Sequence, residues 1–94
     1  MAQTRRHAKQ DEERLLEQYV EQNVDAYPGG QADARLRTSG VSIWAIVAFL
    51  PIYSGDPDKV ADHFGIARVA VEAALAYYRR HKPYVDARIA LNQA

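Results

Sequence analysis

Apolar residues recur along this chain mostly at helical intervals, and the polar breaks between them mark out its elements. Leu15, Leu16, Tyr19, Val20 and Val24 follow i, i+4 spacing and draw one apolar stripe. The stripe predicts a helix that opens at Asp11-Glu12-Glu13, where acids suit the positive end of the helix dipole. Residues 1–10 ahead of it read as a frayed or disordered basic tail. The far end of the helix is open between two readings, because "YVEQNV" also suits an extended segment. "AYPGGQADA" then supplies the loop signal Pro28-Gly29-Gly30, which sets off an N-terminal arm, residues 1–33, from residues 34–94.

"RLRTSGVSI" alternates polar and apolar residues around Thr38-Ser39-Gly40 and predicts a short β-arm or β-hairpin, with Leu36 and Val41 on one side and the arginines on the other. Ser42 stands where the cap of a following helix belongs. Ile43, Trp44, Ile46, Val47, Phe49 and Leu50 are too apolar for a surface helix, so this helix belongs to the core, and Pro51 kinks or ends it. "SGDPDKVADHFG" is a short helix with clear borders. Asp56 caps it, Pro57 takes its first turn, Asp58 adds favourable charge, and Gly65 suits the left-handed position just past its end. Val60, Ala61 and Phe64 form its inner stripe. A longer helix follows in "VAVEAALAYYRRHKP", apolar nearly all round and closing on Arg79, Arg80, His81 and Lys82. A short helix, a glycine turn and a longer helix make the helix-turn-helix pattern. Pro83 stops the long helix and starts a last one with Val85, Ile89 and Leu91 as its apolar positions. The fold class is mainly α, with one short β element.

Composition narrows the class without naming a function. The 94 residues suit one small domain, and 48% hydrophobic with 26% charged residues is globular composition. Twelve basic residues balance twelve acids, so net charge alone makes no case for nucleic acid or membrane. The distribution is uneven. Residues 1–33 carry four basic residues against seven acids, a net −3, and residues 34–94 carry eight against five, a net +3. The absence of cysteine excludes disulfide frameworks, zinc ribbons and thiol catalysis. The N-terminus has no apolar signal-peptide region, and the most apolar run, "VSIWAIVAFLPIY", spans 13 residues, too few to cross a bilayer. A soluble cytoplasmic protein without a membrane partner is the expectation.

Chemistry-bearing constellations are missing from the sequence. His7, His63 and His81 share no ligand spacing. Asp58 and Asp62 lie at i, i+4 beside His63, but a solvated helix face accounts for them. No serine sits in a nucleophile elbow, and Gly29-Gly30 is not followed by the Lys-Ser/Thr of a phosphate loop. Neither an enzyme nor a cofactor is expected.

As a DNA reader the long helix is poorly equipped. The residues at its start are Ala67, Arg68, Val69, Ala70, Val71 and Glu72, of which only Arg68 can grip a guanine, worth roughly 1–3 kcal/mol. Burial of Val71, Leu75, Tyr77 and Tyr78 yields roughly 1.5–3 kcal/mol for each large apolar side chain. The helix therefore reads as a packed spine, with Ala70, Ala73, Ala74 and Ala76 allowing close approach of its neighbours. Two readings of its basic end stand side by side: cations covering the last carbonyls of the helix, or contacts to phosphate.

Taken together, "RLRTSGVSIW", "VADHFGI" and "VEAALAYYRRHKPYVDAR" resemble the antitoxin-like family known as domain of unknown function 433, over about residues 35–90. The resemblance implies a homeodomain-like helix-turn-helix bundle with a short N-terminal β-arm. It also implies dimers formed partly through that arm and a PIN-like nuclease toxin as partner. Two positions depart from the family pattern: Gly40 stands for the second arginine of its Arg-Gly-Thr-Arg arm, and Ser42 for a common proline. The candidate DNA contacts are Arg37, Arg68, Arg79, Arg80 and Lys82. The candidate dimer or partner contacts are Leu36, Val41, Trp44, Tyr77, Tyr78 and Ile89. The expected function is that of a small dimeric antitoxin-type protein that binds a partner protein and its own promoter DNA. The alternative is an interaction or dimerisation module with a degenerate helix-turn-helix and no DNA binding.

Overall fold

The apolar helix expected at residues 69–78 lies at the centre of the molecule. The computed structural model describes residues 2–23, 25 and 29–93, with side chains from residue 10 onward. Among these residues the chain forms five α-helices: α1 (Ala2–Tyr19), α2 (Ile43–Phe49), α3 (Pro57–Phe64), α4 (Arg68–Arg80) and α5 (Lys82–Gln93). Two short strands, β1 (Val20–Glu21) and β2 (Arg35–Leu36), pair antiparallel with Val20 opposite Leu36 and Glu21 opposite Arg35. The architecture is mainly α with a short antiparallel β element, as the hydrophobic pattern predicts.

The first helix departs most from expectation. It begins at Ala2 rather than Asp11. "AQTRRHAKQ" holds alanine, arginine, lysine and glutamine with no glycine or proline, all good helix formers, so nothing interrupts the helix ahead of the acids. Asp11, Glu12 and Glu13 therefore sit mid-helix, out of reach of the N-terminal dipole, and their charges go elsewhere. Past Tyr19 the chain becomes extended as β1, the second of the two readings that "YVEQNV" allowed. Val24 and Pro28 lie outside the described residues, as do the side chains of Arg5, Arg6, His7 and Lys9.

The turn expected around Thr38-Ser39-Gly40 is present. The Leu36 N–H donates to the Val41 carbonyl at 2.9 Å, the Gly40 N–H donates to the Leu36 carbonyl at 3.0 Å, and Arg35 bridges Ser42. Gly40 adopts φ +74°, a left-handed conformation that a side chain would oppose. Leu36 points inward at 3% exposure and Val41 packs half-buried against the same core. Ser42 occupies the cap position of α2 with extended backbone, but its hydroxyl makes no capping bond. Ile43, Ile46 and Val47 are buried, and the helix stops before Pro51, which opens a 3-10 turn over Pro51–Tyr53.

α3 matches its predicted borders. The Asp56 carboxylate accepts from the Asp58 and Lys59 N–H groups, Pro57 begins the helix, and Gly65 takes φ +66° after Phe64. Ala70, Val71, Ala73, Ala74, Ala76 and Tyr77 of α4 are buried, so this helix touches its neighbours over most of its circumference. α1, α2 and α3 all pack on it. Methyl-sized side chains at four of those six positions let three helices approach one axis. Leu16 and Val20 from the N-terminal segment join Ile43, Ile46, Val60, Val71 and Val85 in one core. The loop at Gly29-Gly30 thus separates residues 1–33 from the rest in sequence while the two parts share an interior.

Candidate functional site

The surface formed by the turn between α3 and α4, the exposed edge of α4 and its basic end holds most of the charged candidates. The turn is set by Gly65 and by the Ile66 N–H donating to the Ala61 carbonyl at 3.0 Å. Ala67 precedes α4 with extended backbone and offers no side-chain cap. Arg68 follows at the first helical position and is exposed. Its Nη1 lies 3.3 Å from Asp58 Oδ2 on α3, and its Nε lies 3.3 Å from Glu72 Oε1 one turn along α4. The guanidinium that could grip a guanine is held between two carboxylates.

At the other end of α4 a single carboxylate from α1 holds two arginines. Glu12 Oε2 receives Arg79 Nη2 at 3.2 Å and Glu12 Oε1 receives Arg80 Nε at 3.0 Å. Burial works to raise the pKa of Glu12, but hydrogen bonds from Arg79 and Arg80, with their charges, overcome it and hold the carboxyl below its usual value. His81 caps the helix, donating its N–H to the Tyr77 and Tyr78 carbonyls, and stacks on the Tyr77 ring at 4.3 Å. Burial and then the charge of Arg80 push its pKa down, so the imidazole adds little positive charge to the cluster near neutral pH.

Lys82 does not belong to the last turn of α4, where the sequence placed it, but opens α5. The backbone breaks at His81 because Pro83 has no N–H to donate to the Arg79 carbonyl of a continuing helix and its ring would clash with that carbonyl, whereas it is tolerated in the first turn of α5. The Lys82 ammonium bonds Asp86 Oδ2 at 2.6 Å and sits 5.4 Å from the centre of the Tyr78 ring. The Tyr78 hydroxyl donates to the other oxygen of Asp86 at 2.7 Å. Hydrogen bonding to Asp86 and then to Tyr78 raises the pKa of Lys82 above its ordinary value. Arg37 near the β turn donates from Nε to the Glu17 carbonyl at 3.0 Å and from Nη1 to Glu21 Oε2 at 2.7 Å. All five candidate DNA contacts thus have a carboxylate partner within the chain.

The six candidate interface residues divide by burial. Leu36 and Tyr77, 3% and 1% exposed, lie in this chain's own core and offer no area to a partner. Tyr77 also donates its hydroxyl to the Gln31 carbonyl at 2.9 Å. An apolar side chain reads the same in sequence whether it faces its own core or another molecule. Val41, Trp44, Tyr78 and Ile89 are half-buried and pack against the core from outside. Trp44 is further covered by Arg88, whose guanidinium lies 4.8 Å from the ring centre while its Nε bonds Asp33 Oδ1 at 2.9 Å.

Three large apolar side chains face outward, among them Leu91, which the helical pattern set with Val85 and Ile89 but which lies in the last turn of α5, where only Val85 of the helix is buried. Ile52 is 66%, Tyr84 54% and Leu91 72% exposed. Ile52 and Tyr84 each follow a proline, which is the one signal that could have placed them on irregular or helix-opening surface. His63 receives or donates a 2.9 Å bond with the Tyr53 hydroxyl and packs 4.4 Å from the Phe49 ring, while Asp58 and Asp62 are exposed. Among the described residues, no three metal-ligating side chains come together and no helix is long and apolar enough to cross a membrane.

No known protein family, curated protein or solved structure gives a significant match to the chain.

Proposed function

We propose that this chain is a small cytoplasmic helix-turn-helix protein of antitoxin type. It works as a homodimer, binds a partner protein of the PIN-like toxin class, and contacts its own promoter DNA mainly through phosphates. The observation that carries the reading is the placement of Arg68, exposed at the first position of α4 directly after the Gly65 turn, where a helix-turn-helix presents its reading residue. The likeness of residues 35–90 to domain of unknown function 433 supports the same reading and supplies the partner class. Six buried residues of α4 leave little of the helix to enter a groove. Base discrimination is therefore weak, and affinity rests on Arg37, Arg79, Arg80 and Lys82. Four phosphate contacts from one protomer correspond to a salt slope of roughly −3 to −4.

A second reading, an interaction module that binds no DNA, is favoured by one specific observation: every one of the five candidate cations is already ion-paired within the chain. A gel shift on the chain's own promoter, titrated with salt, separates the two. The first reading expects binding that falls steeply with salt and weakens in Arg68→Ala. Absent or salt-insensitive binding, equal in the wild type and the variant, leaves only the second. Light scattering at micromolar concentration tests the dimer, and a monomer would count against both readings.

A further inference from the structure

The contact between Glu12 and the end of α4 has the form of an occupied anion site. Two oxygens of one charged group are shared between two adjacent guanidiniums, at 3.0 Å to Arg80 and 3.2 Å to Arg79. A phosphodiester offers the same pair of oxygens and the same single negative charge, and arginine recognises both groups through the same planar donors. The carboxylate comes from α1, a different element, which Leu16 fastens to the core one turn beyond it. The side chains of Glu12 and Arg80 are 28% and 33% exposed, whereas 61% of Arg79 is, so the acid and one arginine are partly enclosed while the other cation faces outward.

We infer that Glu12 is an internal competitor for nucleic-acid phosphate: α1 keeps the Arg79–Arg80 pair neutralised, and DNA binds there only by displacing the carboxylate. This inference rests on the DNA-binding reading above and adds regulation to the same residues. Any event that moves α1 off α4, such as a partner seated against α1, raises affinity for DNA by freeing both arginines at once. Neutralising Glu12 in place does the same without moving the helix. Two exposed ion pairs of ordinary strength correspond to a gain of roughly 2- to 30-fold in affinity. With one more uncompensated positive charge at the interface, the salt slope steepens by about one.

The test is fluorescence anisotropy with a labelled duplex of the chain's own upstream region, using the full-length protein across a series of salt concentrations. Glu12→Gln keeps the size and one acceptor oxygen and removes the charge. Glu13→Gln removes the same charge one residue along the same helix and controls for net charge. The expected result is tighter binding and a steeper salt slope for Glu12→Gln alone, with the gain abolished when Arg79 and Arg80 are also changed to alanine. Circular dichroism of each variant confirms that α1 remains folded. Equal affinities for Glu12→Gln and Glu13→Gln would overturn the competitor role while leaving DNA binding intact. No binding by any variant at low salt would overturn the competitor and the DNA reading together.

Discussion

Tyr77 gives a prediction whose sign reverses with pH. Its ring is 1% exposed and its hydroxyl donates to the Gln31 carbonyl at 2.9 Å, a bond only the neutral phenol can make. Burial pushes its pKa from 10.0 to about 12. The group's folded pKa lies above its unfolded value, so its stabilising contribution is complete below pH 10 and is lost as the pH rises through about 12. Over that window the loss amounts to about 2–3 kcal/mol. Tyr77→Phe removes the hydroxyl and costs about 0.5–1.5 kcal/mol at neutral pH, toward the lower end because water can reach the half-exposed Gln31. The two proteins therefore exchange rank. Wild type is the more stable at pH 7, the curves cross at about pH 10.5, and the variant is the more stable beyond it. Urea unfolding of both proteins from pH 7 to 11.5 measures the difference directly and cancels the titration of groups they share. A difference that stays constant over the range would refute the buried, hydrogen-bonded phenol.

Three further substitutions probe the frame around the site. Asp56→Ala removes the side-chain cap of α3 and is expected to cost about 1 kcal/mol, seen as a Tm lowered by several degrees. Ala74→Leu forces extra volume into a fully enclosed position on α4 and should cost about 1–3 kcal/mol by urea unfolding, whereas an unchanged midpoint would show that α4 is not the packed spine. Asp86 has its pKa held below 3.8 by hydrogen bonds from Lys82 and then from Tyr78. Its contribution is thus present above pH 3.8 and disappears as pH falls through the lower folded value, and Asp86→Asn should flatten this part of the acid unfolding profile.

The sequence spoke clearly where the determinants are local. α3 was legible because its cap, first-turn proline and terminal glycine all lie within ten residues, each acting on the adjacent backbone. The buried alanines of α4 were legible because a helix without a polar face has to be enclosed. The start of α1 was not, because polar helix formers carry no periodic pattern and the acids at 11–13 imitate a beginning. The long-range ion pairs were invisible for a different reason. Glu12 meets Arg79 and Arg80 across separations of 67 and 68 residues, and Asp33 meets Arg88 across 55. Of what looked like a free basic knot, Arg79 and Arg80 are held by an acid on another element and Lys82 by Asp86 one turn along its own helix.

On the proposed DNA-binding reading, contacts fall at Arg37 and at the two ends of α4, and nowhere along the buried middle of that helix. Amide chemical shifts of the labelled protein, followed as a duplex of its upstream region is added at low salt, test this residue by residue. The expected shifts are concentrated at residues 37, 65–69 and 79–82 and at Glu12, with the amides of residues 73–77 moving least. Shifts confined to the exposed Ile52, Tyr84 and Leu91, or none at stoichiometric DNA, would contradict the reading.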